Sequence, residues 1–110
     1  MQLPSADLAI IEPSKLQDYL LSPFHPLGRF KAAFFASLGY SHERWQELDR
    51  DIREQHLIMD AELGEITKYG RKYLIRGPLR TPEGTIVQLV SVWIIRGGEE
   101  APRFVTAYPG

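Results

Sequence analysis

The sequence predicts an α+β fold, with about three N-terminal helices packed on one face of a four-stranded antiparallel sheet. Three observations predict it. Apolar residues recur at spacings of three and four through roughly the first half of the chain. From about Leu57 the pattern changes to short segments rich in Ile, Val, Tyr and Thr, punctuated by Gly64, Gly70, Gly77, Gly84, Gly97 and Gly98. The connections between those segments are short, which suits antiparallel neighbours, whereas parallel ones need long crossovers.

Pro13 suits a helix's first position, because its missing N–H would have no partner there, and Leu16, Tyr19 and Leu20 supply the inward spacing. Ser22 to Pro26 breaks this helix. A second helix is expected over Leu27 to Leu38, with Leu27, Phe30, Phe34 and Leu38 as its buried stripe, widened by Ala33 and Phe35, and Gly39 as its left-handed stop. That aromatic stripe is expected to cover one face of the sheet. Ser41 is placed to cap a third helix, in which Trp45, Leu48 and Ile52 face inward; Glu43, Glu47, Asp49, Asp51 and Glu54 give it an acidic, solvated outer face.

Strands are expected at Ile58 to Leu63, with resumption at Glu65 to Lys68, then at Lys72 to Arg76, Thr85 to Ile95 and Arg103 to Tyr108. The run Ile86 to Ile95 is apolar on both alternating sets, which places it in the interior of the sheet.

The chain of 110 residues reads as one domain, 1–110, large enough for an ordinary core. Without cysteine it has no disulfide scaffold, thiolate metal site or cysteine nucleophile. No apolar run approaches a membrane span and Met1 to Ile11 lacks the marks of a signal peptide, so a cytoplasmic protein is expected without a membrane partner. A net charge of −1 removes the general pull on nucleic acid that basic proteins exert, so any such role rests on a local patch.

Such a patch lies between Ile66 and Pro82, which holds Lys68, Arg71, Lys72, Arg76 and Arg80 and no acid. Lys72 and Arg76 share a strand face and suit successive phosphates, with Tyr69 or Tyr73 nearby for base stacking. The plainer reading is a basic surface that keeps the sheet soluble. Around the start of the second helix stand His25, Arg29 and Lys31. Helix starts attract anions through unpaired amides; His25 suits proton transfer, and Lys31 or Arg29 suits neutralising charge on phosphorus. The plainer reading has His25 closing a turn and both cations on the wet side of the helix. Thr106 and Tyr108 share one face of the last strand and Arg103 takes the other; they suit a site at the strand end, or simply β-propensity and core cover. Capping accounts for His42 and His56, and the histidine spacing fits no metal signature, so neither metal nor cofactor is expected.

In order and spacing, Lys15-Leu16, Tyr19-Leu20-Leu21-Ser22, His25-Pro26 with Gly28, Lys31-Ala32 with Phe35, Leu38-Gly39-Tyr40, Tyr69-Gly70 with Lys72-Tyr73, Gly77-Pro78, Val92-Trp93 and Pro102-Arg103 with Val105 to Pro109 resemble an uncharacterised bacterial domain family. Its members occur as small free-standing proteins and at the ends of toxin-like or adhesin-like chains. That family in turn looks like a branch of the ribonuclease toxin fold shared by barnase, EndoU, tRNA-cleaving colicins and RelE-type toxins. The resemblance implies RNA cleavage without metal, by attack of the 2′-hydroxyl on its own phosphate. Lys31, His25, Thr106 and Tyr108 would be the catalytic residues, with Arg29, Lys72, Arg76 and Arg103 holding substrate. It also implies an RNA substrate and a small antagonist protein as partner. The rival reading is a noncatalytic protein- or RNA-binding module of the same fold.

Overall fold

Pro13 opens the first helix in the computed structural model, which describes residues Met1–Gly110. α1 (Pro13–Lys15) passes directly into a π-helical turn, Leu16–Leu20, whose Leu16 and Leu20 are fully buried. α2 (Arg29–Ser37) ends at Gly39, whose φ of 98° is the left-handed stop that glycine takes without strain. The tight turn His42–Arg44 leads into α3 (Trp45–Asp51), completed by a second π-helical turn, Ile52–His56. No helix is long and apolar enough to cross a membrane.

β1 (Ala61–Thr67), β2 (Gly70–Arg80), β3 (Ile86–Arg96) and β4 (Arg103–Pro109) form one sheet in chain order, with every neighbouring pair antiparallel. β3 is therefore interior, as its two-sided apolar pattern predicts. The helices cover one face. Ile75, Leu79, Leu89, Trp93 and Ala107 of the sheet meet Leu16, Leu20, Phe35, Leu48 and Ile52 from the helices, and none is measurably exposed. The architecture is the expected α+β one.

Several details depart from the sequence reading. β2 runs to Arg80, through Gly77 and Pro78, which read as a strand end. Proline is tolerated because β1 stops opposite Ile75, leaving this part of β2 paired with β3 alone. The amide of Arg80 points away from β3, to Gln55 Oε1 at 2.7 Å, so the nitrogen of Pro78, two residues earlier, also faces the unpaired side. Ile58 lies before β1 and is largely exposed.

The buried stripe of α2 is also rotated. Ala32, Phe35 and Leu38 face inward, while Leu27 and Phe30 stand in solvent, 77% and 73% exposed. α2 reaches the sheet core through Phe35. It packs on the Leu16–Leu20 turn, while Pro13–Lys15 lies against β4 and Ile52–His56 against β2.

In the third helical region Ser41 makes no side-chain cap, and Asp51 is buried, accepting the Tyr40 hydroxyl at 2.6 Å. His56, read as a helix-end cation, is instead fully buried and pairs with Ser91 Oγ at 2.8 Å and the Gly77 carbonyl at 3.2 Å. Since the carbonyl can only accept, Nε2 carries the ring proton and Nδ1 accepts from Ser91, whose Oγ in turn accepts from Trp93 Nε1 at 3.0 Å. Burial pushes the imidazole below its usual range, against the opposing effect of the Gly77 hydrogen bond.

Candidate functional site

The site begins with a close approach. A Cβ on Gly28 would run into the backbone carbonyl of Tyr19, so only glycine lets the start of α2 cross the Leu16–Leu20 turn this closely. One turn further on, Lys31 is carried toward β4. Its Nζ donates to Thr106 Oγ1 at 2.9 Å and to the Tyr19 hydroxyl at 3.3 Å. The ring centres of Tyr19 and Tyr108 lie 5.7 and 6.0 Å from the same ammonium, within range of cation–π attraction. Lys31 is half-buried and has no carboxylate partner.

β4 supplies its residues through a bulge. Thr106 is paired with Val92 but Phe104 with Trp93, so Val105 is the extra residue. The bulge inverts the alternation expected from spacing: Arg103, opposite Ile94, falls on the same side of the sheet as Thr106 and Tyr108. Beside Thr106 opens a cleft of about 530 Å³ lined by Ser14, Lys15, Asp18, Tyr19, His25, Leu27 and Val105.

His25 lines this cleft with its ring edge-on to Tyr19, the centroids 5.0 Å apart. Its Nδ1 accepts the amides of both Leu27 and Gly28 at 3.0 Å, and its carbonyl accepts that of Arg29. Two consequences correct the sequence reading. Three amides at this helix start are already satisfied, so they do not form the open anion site expected there. With Nδ1 accepting, the proton of the neutral ring sits on Nε2; His25 offers the cleft a hydrogen-bond donor, not a base.

Tyr19 is the residue that sequence reasoning missed. Its ring counted only as part of an apolar stripe, although a half-buried tyrosine needs a partner for its hydroxyl. Burial pushes the phenol up, but hydrogen bonds with Thr106 and Lys31, reinforced by the charges of Lys31 and Lys15, outweigh it and hold the group below its usual value.

The four cations assigned to substrate fare differently. Lys72 is paired with Glu65 at 3.1 Å and Arg76 with Glu62 at 2.7 Å, while Arg103 holds both Glu12 and Glu99 at 3.0 Å. Their charges are largely answered within the protein. Only Arg29 lacks a carboxylate; its guanidinium lies 4.9 Å from the ring centre of Phe30. The structure thus brings together Lys31, His25, Thr106 and Tyr108, adds Tyr19, and leaves Lys72 and Arg76 in cross-strand ion pairs with β1. No group of three or more His, Asp or Glu side chains stands close enough to hold a metal ion.

This arrangement can bind an anion at the Lys31 ammonium, donate hydrogen bonds from Lys31, Thr106 and His25, and move a proton at the Tyr19 oxygen. The model of a domain of unknown function, DUF6883, matches residues 2–110, and the chain belongs to that family. No curated protein and no solved structure matches it.

Proposed function

We propose that this member of the DUF6883 family is a toxin-like RNA endonuclease that cleaves by transesterification, and that the family is a branch of the ribonuclease toxin fold. One observation carries the reading. A half-buried lysine with no carboxylate partner is held between two hydroxyls that line an open cleft, one of them a phenol kept below its ordinary pKa. An ammonium so placed awaits an anion, and the adjacent phenol, in its ionised form, supplies the proton acceptor that attack by a ribose 2′-hydroxyl requires.

The step is written as follows. The phosphodiester lies against Lys31, with Thr106 and His25 Nε2–H donating to its nonbridging oxygens. With Tyr19 ionised, the 2′-hydroxyl gives its proton to the phenolate oxygen and bonds to phosphorus, while the bond from phosphorus to the 5′-oxygen breaks. Lys31 protonates that 5′-oxygen, leaving a 2′,3′-cyclic phosphate. Tyr19 then returns its proton to Lys31 across their hydrogen bond, restoring the starting state. DNA lacks the internal nucleophile and is not cut. In a cell the activity calls for a small antagonist protein that covers the cleft.

Incubating the purified protein with total RNA in chelator tests the reading. Cyclic-phosphate ends are expected, with no cleavage at a position carrying 2′-O-methyl. Intact RNA, together with equal effects of wild type, Lys31→Ala and Thr106→Ala on cell growth, would end the proposal.

A second reading has one observation in its favour. On the edge strand β1, Leu63 and Ile66 are 58% and 70% exposed, which suits a noncatalytic module that pairs with a protein partner. Stoichiometric binding of a partner that survives Lys31→Ala but fails with Leu63→Lys and Ile66→Lys is expected on that reading alone.

A further inference from the structure

Three large apolar side chains stand in solvent within one short segment beside the cleft: Phe24 at 83%, Leu27 at 77% and Phe30 at 73% exposure. The core does not need them, since α2 turns Ala32, Phe35 and Leu38 inward. Leu27 forms part of the cleft wall itself, and Phe30 immediately precedes Lys31. Phe30 is not a bare ring. The Arg29 guanidinium stands 4.9 Å from its centre, making a flat, cationic and apolar platform open to solvent.

Asp18 lines the cleft, but the charges that flank Phe30 in the chain are of one sign. From Tyr19 through His42 the chain contains no Asp or Glu, and neither Arg29 nor Lys31 enters an ion pair. A buried apolar partner alone would not call for two unanswered cations, and a phosphate alone would not call for two exposed phenyl rings. An unpaired nucleotide supplies both complements at once: a π-face for the ring and a phosphate for the ammonium.

We propose that Phe30 with Arg29, extended by Leu27 and Phe24, is a base-stacking subsite for single-stranded RNA, holding an unpaired base beside the phosphate at Lys31. The proposal rests on the ribonuclease reading and narrows its substrate: bases stacked in a duplex cannot reach the platform. The sequence had assigned stacking to Tyr69 or Tyr73 on the sheet. Tyr69 is also exposed, with the Lys68 ammonium 5.2 Å from its ring centre, but it belongs to the β1–β2 turn, whereas Phe30 adjoins Lys31 in the chain.

The probe is a single-stranded 2′-O-methyl RNA of about 12 nucleotides, which binds without being cut, read by fluorescence anisotropy beside a duplex of the same sequence and an abasic strand. Phe30→Ala is expected to weaken binding of the single strand about fivefold or more, to change its salt dependence little, and to bring it near the abasic strand. Phe30→Trp is expected to keep the affinity. Lys31→Met is expected to lower the salt slope by about one, because it removes a phosphate contact. Phe30 is exposed, so these variants should fold like the wild type; thermal melting checks this. If wild type cuts RNA while Phe24→Ala and Phe30→Ala bind the probe as it does, the subsite is wrong and the ribonuclease reading stands. Equal affinity for duplex and single strand also overturns the subsite. If wild type neither cuts RNA nor binds the probe, both fail together. A dimer that these two variants dissociate, with probe binding unchanged, assigns the surface to a second copy of the chain instead.

Discussion

Lys72, Arg76 and Arg103 on the sheet and Lys31 on α2 look alike in the sequence and differ in the structure. Lys72, Arg76 and Arg103 each end on a carboxylate, two of them in ion pairs between neighbouring strands. Lys31 ends on the hydroxyls of Tyr19 and Thr106. A cation already facing an acid gains little from a phosphate, because that attraction replaces an existing one. A cation facing neutral oxygens has its full charge to offer. The count of basic residues therefore does not say which cation has charge to offer; the placement of the acids and hydroxyls does.

The largest effect that would sharpen this contrast is expected at Lys31. Lys31→Met should lower kcat/KM for RNA by about 10²–10³-fold, the cost typical of losing a group aimed at developing charge. Arg76→Gln in the same assay should stay within about threefold of wild type. Equal losses in the two variants would break the comparison. Tyr19→Phe removes the proton acceptor but keeps the ring, and a loss of about 10²-fold is expected. Its pH profile carries more information. Wild-type activity should rise as pH passes through the lowered pKa of Tyr19, and the variant should lack that rise.

Gly28→Ala tests the geometry without removing any reacting group. The new methyl collides with the Tyr19 carbonyl, so Lys31 and Tyr19 must separate; a loss of up to about 10²-fold is expected from misplacement alone. Circular dichroism should show the helices retained.

Smaller effects concern stability. Ser91→Ala leaves His56 Nδ1 and Trp93 Nε1 without their shared partner and should cost about 1–3 kcal/mol by chemical denaturation. His56 also gives the fold a pH dependence. Its folded pKa lies below the ordinary 6.5, so the unfolded chain takes up the proton first as pH falls. This contribution to stability is complete above about 6.5 and declines as pH drops from there toward the folded pKa. Urea midpoints measured across that window check the sign. At the small end, breaking the exposed Arg76–Glu62 pair should alter stability by no more than about 1 kcal/mol.

Much of the fold was legible because local spacing carried it. Pro13 and Gly39 mark helix limits through backbone chemistry that neighbours do not change, and the two-sided pattern of β3 follows from burial on both faces. The rotation of α2 was not legible, because apolar residues occur nearly all around it. Which of Phe30 and Phe35 turns inward depends on where the Leu16–Leu20 turn lies. His56 and Asp51 were misread as surface charges for a similar reason. Their partners, Ser91 and Tyr40, come from elsewhere in the chain, 35 and 11 residues away.

At the site, Lys31, His25, Thr106 and Tyr108 were named from the sequence; His25 and Thr106 line the cleft, Lys31 bonds to Thr106, and the Tyr108 ring lies 6.0 Å from the Lys31 ammonium. Tyr19 was missed, and the role of His25 changed once both amides were found on its Nδ1. The bulge at Val105 reversed the side assigned to Arg103, since one extra residue inverts the alternation of a strand.

By itself, the sequence determined the α+β class, the helix limits at Pro13 and Gly39, the interior place of β3, and the residue types available to hold an anion. Only the tertiary structure decided that Lys31 ends on hydroxyls and not on an acid, which phenol lies beside it, and which aromatic rings face water. Periodicity and propensity act over a few neighbouring residues, whereas charge pairing and burial depend on what the fold brings close from 75 positions away, as it brings Thr106 to Lys31.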